Sequence, residues 1–111
     1  MIRDVLSRWL GQLGYGVRVA GNAIDAVELM LVEPASILFC DVRMPVHDGL
    51  WLLKRVREEW PRTAIIMASG IDDLDVIQRA RKAGAVDYVS KPFGREMLLQ
   101  ALNRAQAALD A

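Results

Sequence analysis

The chain has little that would support chemistry by metal or thiol. It holds one cysteine, one histidine and no surplus of charge. A single thiol, Cys40, cannot form an internal disulfide, so the fold must rest on its core, and a reducing, cytoplasmic setting fits. His47 has no histidine, cysteine or acid at ligand spacing, which argues against a histidine-built metal site. Lys and Arg together number 14, as do Asp and Glu. That balance gives no electrostatic case for a direct nucleic-acid or membrane partner. No apolar run approaches the ~20 residues of a membrane span. The opening MIRDVLSRWL carries charges inside its apolar pattern and reads as an amphipathic helix, not a signal peptide. Internal repeats, linkers and low-complexity tracts are also absent.

What remains is a well-patterned globular sequence. Its 111 residues are 53% hydrophobic and 25% charged, which suits one domain spanning 1–111 with an ordinary core. Ile2, Val5, Leu6, Trp9, Leu10 and Leu13 recur at helical spacing, and Gly14 and Gly16 stop them. Val17–Ala20 is a short strand candidate. Asn22 caps a second helix carrying Ile24, Val27, Leu29, Met30 and Leu31, which ends near Pro34. Ile37–Cys40 is a continuous apolar strand. Asp48 caps a third helix, which ends before Pro61. A second apolar strand, Ala64–Ala68, leads to a helix over Leu74–Ala83 that stops at Gly84. Val86–Val89 is the last strand. A helix with Met97, Leu98, Ala101, Leu102 and Ala105 follows. Short unbroken apolar strands alternating with amphipathic helices indicate an α/β fold with a parallel sheet covered on both faces.

In such a sheet the functional crevice lies at the carboxyl ends of the strands. Asp41 follows ILFC, Ser69 follows AIIMA, and Lys91 follows VDYVS. Parallel strands bring these three ends to one edge, so a carboxylate, a hydroxyl and an ammonium converge. That set suits a carboxylate that accepts a phosphoryl group, with the hydroxyl and ammonium binding its oxygens. A divalent cation normally completes such a site.

The motifs DVRMPVHDG, ASG and KAGAVDYVSKPF, taken together, resemble the receiver domains of two-component response regulators over nearly the whole chain. The resemblance implies a flavodoxin-like, doubly wound parallel sheet in the order 2-1-3-4-5. It implies that Asp41 is the phosphoryl acceptor, Ser69 the switch hydroxyl, Lys91 the phosphate-binding lysine and Tyr88 the switch aromatic. The Arg43 backbone carbonyl matches a Mg²⁺ ligand, and Lys91-Pro92 matches a cis peptide bond. The implied partners are a histidine kinase or phosphotransfer protein upstream and a protein effector downstream. The effector contact is implied for the face formed by the fourth helix, fifth strand and fifth helix.

One departure stands out. The family pattern begins with a strand ending in an acidic pair, whereas this chain opens on the first helix. The expectation is therefore a truncated receiver lacking the first, central strand. Without the pair, Asp41 and the Arg43 carbonyl are the recognisable metal ligands, so Mg²⁺ binding is expected to be weak or lost and phosphorylation slow or absent. Asp48, Asp72 and Asp73 read as helix-terminal acids. Without the strand, its two neighbours can pair directly, a second copy can supply pairing in a homodimer, or the sheet can stay split. A homodimer is the favoured expectation. The alternative function is a phosphorylation-independent interaction or dimerisation module. A small flavin-type binding protein is a third reading, weakened because no Gly-rich phosphate loop follows the first recognisable strand. Cys40 reads as a core residue, and His47 as neither ligand nor catalyst. Trp51 lies off the apolar stripe of Leu50, Leu53 and Val56, where it is either incidental or a partner anchor.

Overall fold

The computed structural model describes residues 2–43, 47–70 and 74–111. In chain order the elements are α1 (Ile2–Gln12), α2 (Ala23–Val32), β1 (Ile37–Asp41), α3 (Gly49–Glu59), β2 (Ala64–Ser69), α4 (Leu74–Lys82), β3 (Asp87–Ser90) and α5 (Arg95–Asp110). The expected Met44-Pro45 loop and the acids Asp72 and Asp73 lie outside the described residues.

The three strands form one parallel sheet in the order β1-β2-β3. Their sequences explain their places. In β2, Ala-Ile-Ile-Met-Ala-Ser is apolar to both faces, and all six residues are buried, as a strand covered on both sides demands. One face packs against Leu53, Val56 and Ala80 of α3 and α4. The other packs against Ala101 and Ala105 of α5. Small residues there bring the helix close to the sheet.

Helix starts follow local chemistry. The Asn22 side chain accepts a hydrogen bond from the Asp25 amide at 2.8 Å. Asp48 does the same for the Trp51 amide at 3.0 Å. Both satisfy amides that the first helical turn leaves without partners. At the end of α4, Gly84 takes φ +109°, a left-handed conformation that favours glycine.

The expected strand at Val17–Ala20 does not form among the described residues. A strand exists only with a neighbour to exchange backbone hydrogen bonds with, and β1 does not pair with this segment. Direct closure of the two strands is therefore not the solution adopted. The segment is tied down another way. The Arg18 guanidinium donates to the carbonyls of Leu29 at 2.9 Å and Glu33 at 2.6 Å, closing the C-terminal end of α2.

Two helical stripes also need correction. Ile24 and Leu31 are exposed while Val27 and Met30 are buried, and Met97 is exposed while Leu98 is buried. Periodicity placed each helix, but the buried arc is narrower than its full set of apolar residues. No helix among the described residues is long and apolar enough to cross a membrane.

Candidate functional site

The three expected strand-end residues come from three neighbouring strand ends. Asp41 is the last residue of β1 and is in register with Ala68. Ser69 is the last of β2, in register with Ser90. Lys91 follows β3 directly. Backbone hydrogen bonds carry the pairing past the strands: the Val42 amide donates to the Ala68 carbonyl at 2.9 Å, and the Lys91 amide to the Ser69 carbonyl at 2.7 Å.

The Lys91 ammonium donates to Asp41 Oδ2 at 2.6 Å. The other carboxylate oxygen, Oδ1, accepts from the Arg43 amide at 3.1 Å. Both side chains of the ion pair keep about a third of their surface in water. The pair therefore adds little stability but holds the carboxylate in place. Ser69 is buried, and its hydroxyl oxygen has no hydrogen-bond partner among the described residues. A buried hydroxyl without a partner costs about 1–3 kcal/mol. Such an arrangement invites an acceptor, as an arriving phosphoryl oxygen would be.

Tyr88 is half-buried on β3 and packs toward the core beside α4. Strand register puts Met67 beside Tyr88 and Ser69 beside Ser90. Alternation along parallel strands then places Tyr88 and Ser69 on the same face of the sheet. The Lys91-Pro92 peptide is cis.

Sequence reasoning missed why residue 49 is glycine. A Cβ there would lie 2.4 Å from the Asp41 carbonyl oxygen and 2.8 Å from the Val42 Cα. The start of α3 thus rests directly on the backbone that carries Asp41, and the Gly49 amide donates to the Val42 carbonyl at 2.9 Å. The hint was the adjacency of Asp48 and Gly49 after an apolar strand. Nothing in the spacing reveals the close approach itself.

Cys40 is buried, and its thiol is pushed up to about 12, first by burial and then by the charges of Asp41 and Asp48. Its Sγ lies 3.6 Å from the Gly49 carbonyl oxygen. Trp51 is not an isolated exposed ring. It is half-buried and stacks on His47, with centroids 4.0 Å apart and planes 15° from parallel.

Residues for a tightly held Mg²⁺ are few. No group of three or more His, Cys, Asp or Glu side chains converges among the described residues. Asp41 already has a partner on each oxygen. A Mg²⁺ ion asks for near-octahedral oxygen ligands, more than converge as acidic side chains among the described residues.

Comparison with known proteins bears on the family and the fold. The family model described as "Response regulator receiver domain" matches residues 1–103. The chain is 36% identical over 104 residues to the DNA-binding transcriptional regulator NtrC of Proteus hauseri, covering 94% of this chain and 22% of that protein. It is 34% identical to the response regulator protein PilR of Pseudomonas aeruginosa, covering 91% of this chain and 24% of that protein. It thus spans under a quarter of the length of these relatives. Among solved structures, NtrX from Brucella abortus superposes with a TM-score of 0.93 at 27% identity, over 98% of this chain and 25% of that one. Chemotaxis protein CheY4 of Vibrio cholerae superposes with a TM-score of 0.87 at 30% identity, over 94% of this chain and 88% of that one. The parallel sheet, the helices around it and these matches make the chain a member of the response regulator receiver domain family, with its flavodoxin-like α/β fold.

Proposed function

We propose that this chain is a signalling receiver whose Asp41 accepts a phosphoryl group slowly, and whose output is a changed protein–protein contact and not catalytic turnover. The observation that carries this is Asp41 held at 2.6 Å by Lys91, with the buried Ser69 hydroxyl at the neighbouring strand end lacking a partner among the described residues. Receiver domains work with histidine kinases, and the proposed donor is a histidine kinase or phosphotransfer protein. An Asp41 oxygen attacks phosphorus, the new O–P bond replaces the donor's N–P bond, and the leaving imidazole nitrogen takes up a proton. Lys91 offsets the negative charge gathering on the phosphoryl oxygens. Ser69 then donates to one of those oxygens, and Tyr88 follows inward, changing the outer face.

The family generally uses Mg²⁺ for phosphorylation. That no cluster of acids converges among the described residues supports slow uptake. The test is incubation with acetyl phosphate and Mg²⁺, read by intact mass. Slow, partial gain of one phosphoryl group, lost in Asp41→Asn, is expected. Rapid stoichiometric gain would overturn the proposed impairment.

The same ion pair also supports a second reading, a phosphorylation-independent interaction module, because Asp41 is already satisfied in the resting chain. No uptake at all, with partner binding unchanged in Asp41→Asn, is its signature. In either case we propose the whole chain as one cytoplasmic receiver unit, with no direct nucleic-acid or membrane contact. A homodimer is proposed because β1 pairs on one side only among the described residues, leaving an edge that can template association. A mass by light scattering that stays monomeric as concentration rises counts against it.

A further inference from the structure

We infer that Arg81 is a positioning residue that clamps the Tyr88 ring in its resting place, an inference that rests on the switch reading of Ser69 and Tyr88. The Arg81 guanidinium carbon lies 4.8 Å from the Tyr88 ring centroid, within the range where a cation is held by an aromatic face. Arg81 sits in the last turn of α4, a turn that carries three basic residues, Arg79, Arg81 and Lys82. Their neighbours differ. Arg79 pairs with Asp75. No carboxylate among the described residues pairs with Arg81, so the ring is its electrostatic partner.

The ring has a second polar neighbour on its own sheet face. Tyr88 shares a sheet face with Ser69, one diagonal step away across β2 and β3, a separation within reach of an aromatic side chain. The Ser69 hydroxyl is buried and lacks a partner among the described residues. A tyrosine turned toward it gains a polar neighbour but gives up the guanidinium. The two positions thus compete for one ring, and α4 holds the restraint on the outer one. A ligand shifts such an equilibrium only by its differential affinity for the two states. Arg81 therefore sets how much an event at Asp41 must contribute before Tyr88 moves.

The chain has two tyrosines, so 3-fluorotyrosine labelling gives two ¹⁹F resonances, with Tyr15 as the internal control. The ¹⁹F solvent isotope shift in H₂O and D₂O reports how much of each ring meets water. Arg81→Gln is expected to raise the protected Tyr88 population about two- to five-fold, with Tyr15 unmoved. Arg81→Lys keeps a cation and is expected to stay closer to the parent than Arg81→Gln does. An unchanged Tyr88 isotope shift in Arg81→Gln overturns the clamp, as does Arg81→Lys behaving like Arg81→Gln. So does an equal shift at Tyr15, which marks general loosening. The same samples treated with acetyl phosphate and read by intact mass test Asp41 separately. A protein that takes no phosphoryl group yet shows the ¹⁹F response retains the clamp and loses the phosphoryl-acceptor reading.

Discussion

β1 and β2 are both short apolar strands running into a polar residue, yet they live in different surroundings. Every residue of β2 is buried, whereas Ile37, Leu38 and Phe39 of β1 are only half-buried. The flanking helices repeat the contrast. α5 buries Leu98, Ala101, Leu102 and Ala105, while no described side chain of α1 is fully buried, including Leu6, Trp9 and Leu10. Hydrophobic pattern says which residues want cover. A neighbour on each side decides whether they get it. One half of this molecule is a finished core, and the other is a set of correctly shaped elements that are only partly covered among the described residues.

The sharpest way to expose that contrast is a matched pair of truncations. Ile66→Ala in β2 removes a fully buried side chain and is expected to cost about 2–5 kcal/mol. Ile37→Ala in β1 is expected to cost about 1 kcal/mol, since part of its surface already meets solvent. Urea denaturation of both variants measures the difference, and equal losses would erase the distinction between the strands.

Gly49→Ala attacks the boundary between the halves. Its Cβ meets the Asp41 carbonyl oxygen at 2.4 Å, so α3 or the end of β1 must shift. A stability loss of about 1–3 kcal/mol is expected, together with a changed Asp41–Lys91 geometry visible in the ¹⁵N amide shifts of Val42 and Arg43.

Cys40 tests how dry the β1 end is. Its pKa is raised from an ordinary thiol's 9.0 to about 12 in the folded chain, so the folded state holds the thiol proton more tightly than the unfolded one. The resulting stabilisation is complete below about pH 9 and is lost as pH rises toward about 12. Relative to Cys40→Ala, the parent is expected to lose up to about 1.4 kcal/mol per pH unit above 9. Parallel urea titrations at pH 8 and 10 check this, and identical pH slopes would mean that solvent reaches the thiol.

The smallest effect is expected at the site itself. Lys91→Ala removes an ion pair that is about one-third exposed on each side and should lower stability by at most about 1 kcal/mol. Thermal denaturation is the measurement. A larger loss would make the pair a structural strut and favour the phosphorylation-independent reading.

Much of this architecture was legible in the residues. Continuous runs such as ILFC and AIIMA located β1 and β2, and Asn22 and Asp48 announced helix starts, because those signals are local. The meeting of Asp41, Ser69 and Lys91 at one edge followed from parallel pairing alone. Val17–Ala20 failed as a strand because pairing is a property of two segments, and its own four residues do not contain the second. The Gly49 approach, the His47–Trp51 stack and the Arg81–Tyr88 contact stayed hidden for a similar reason. Each depends on distances of a few ångströms between elements whose relative placement no periodicity specifies.

The bond from the Lys91 amide to the Ser69 carbonyl has one more consequence. It fixes the spacing between two strand-end positions through the main chain, independently of what their side chains are. Along with the Val42–Ala68 bond, it makes the strand ends a pegboard of constant pitch. Chemistry can be exchanged peg by peg, hydroxyl for hydroxyl or cation for neutral group, while the holes stay where the backbone drilled them. A lineage or a designer can therefore retune this edge without solving the problem of placement again.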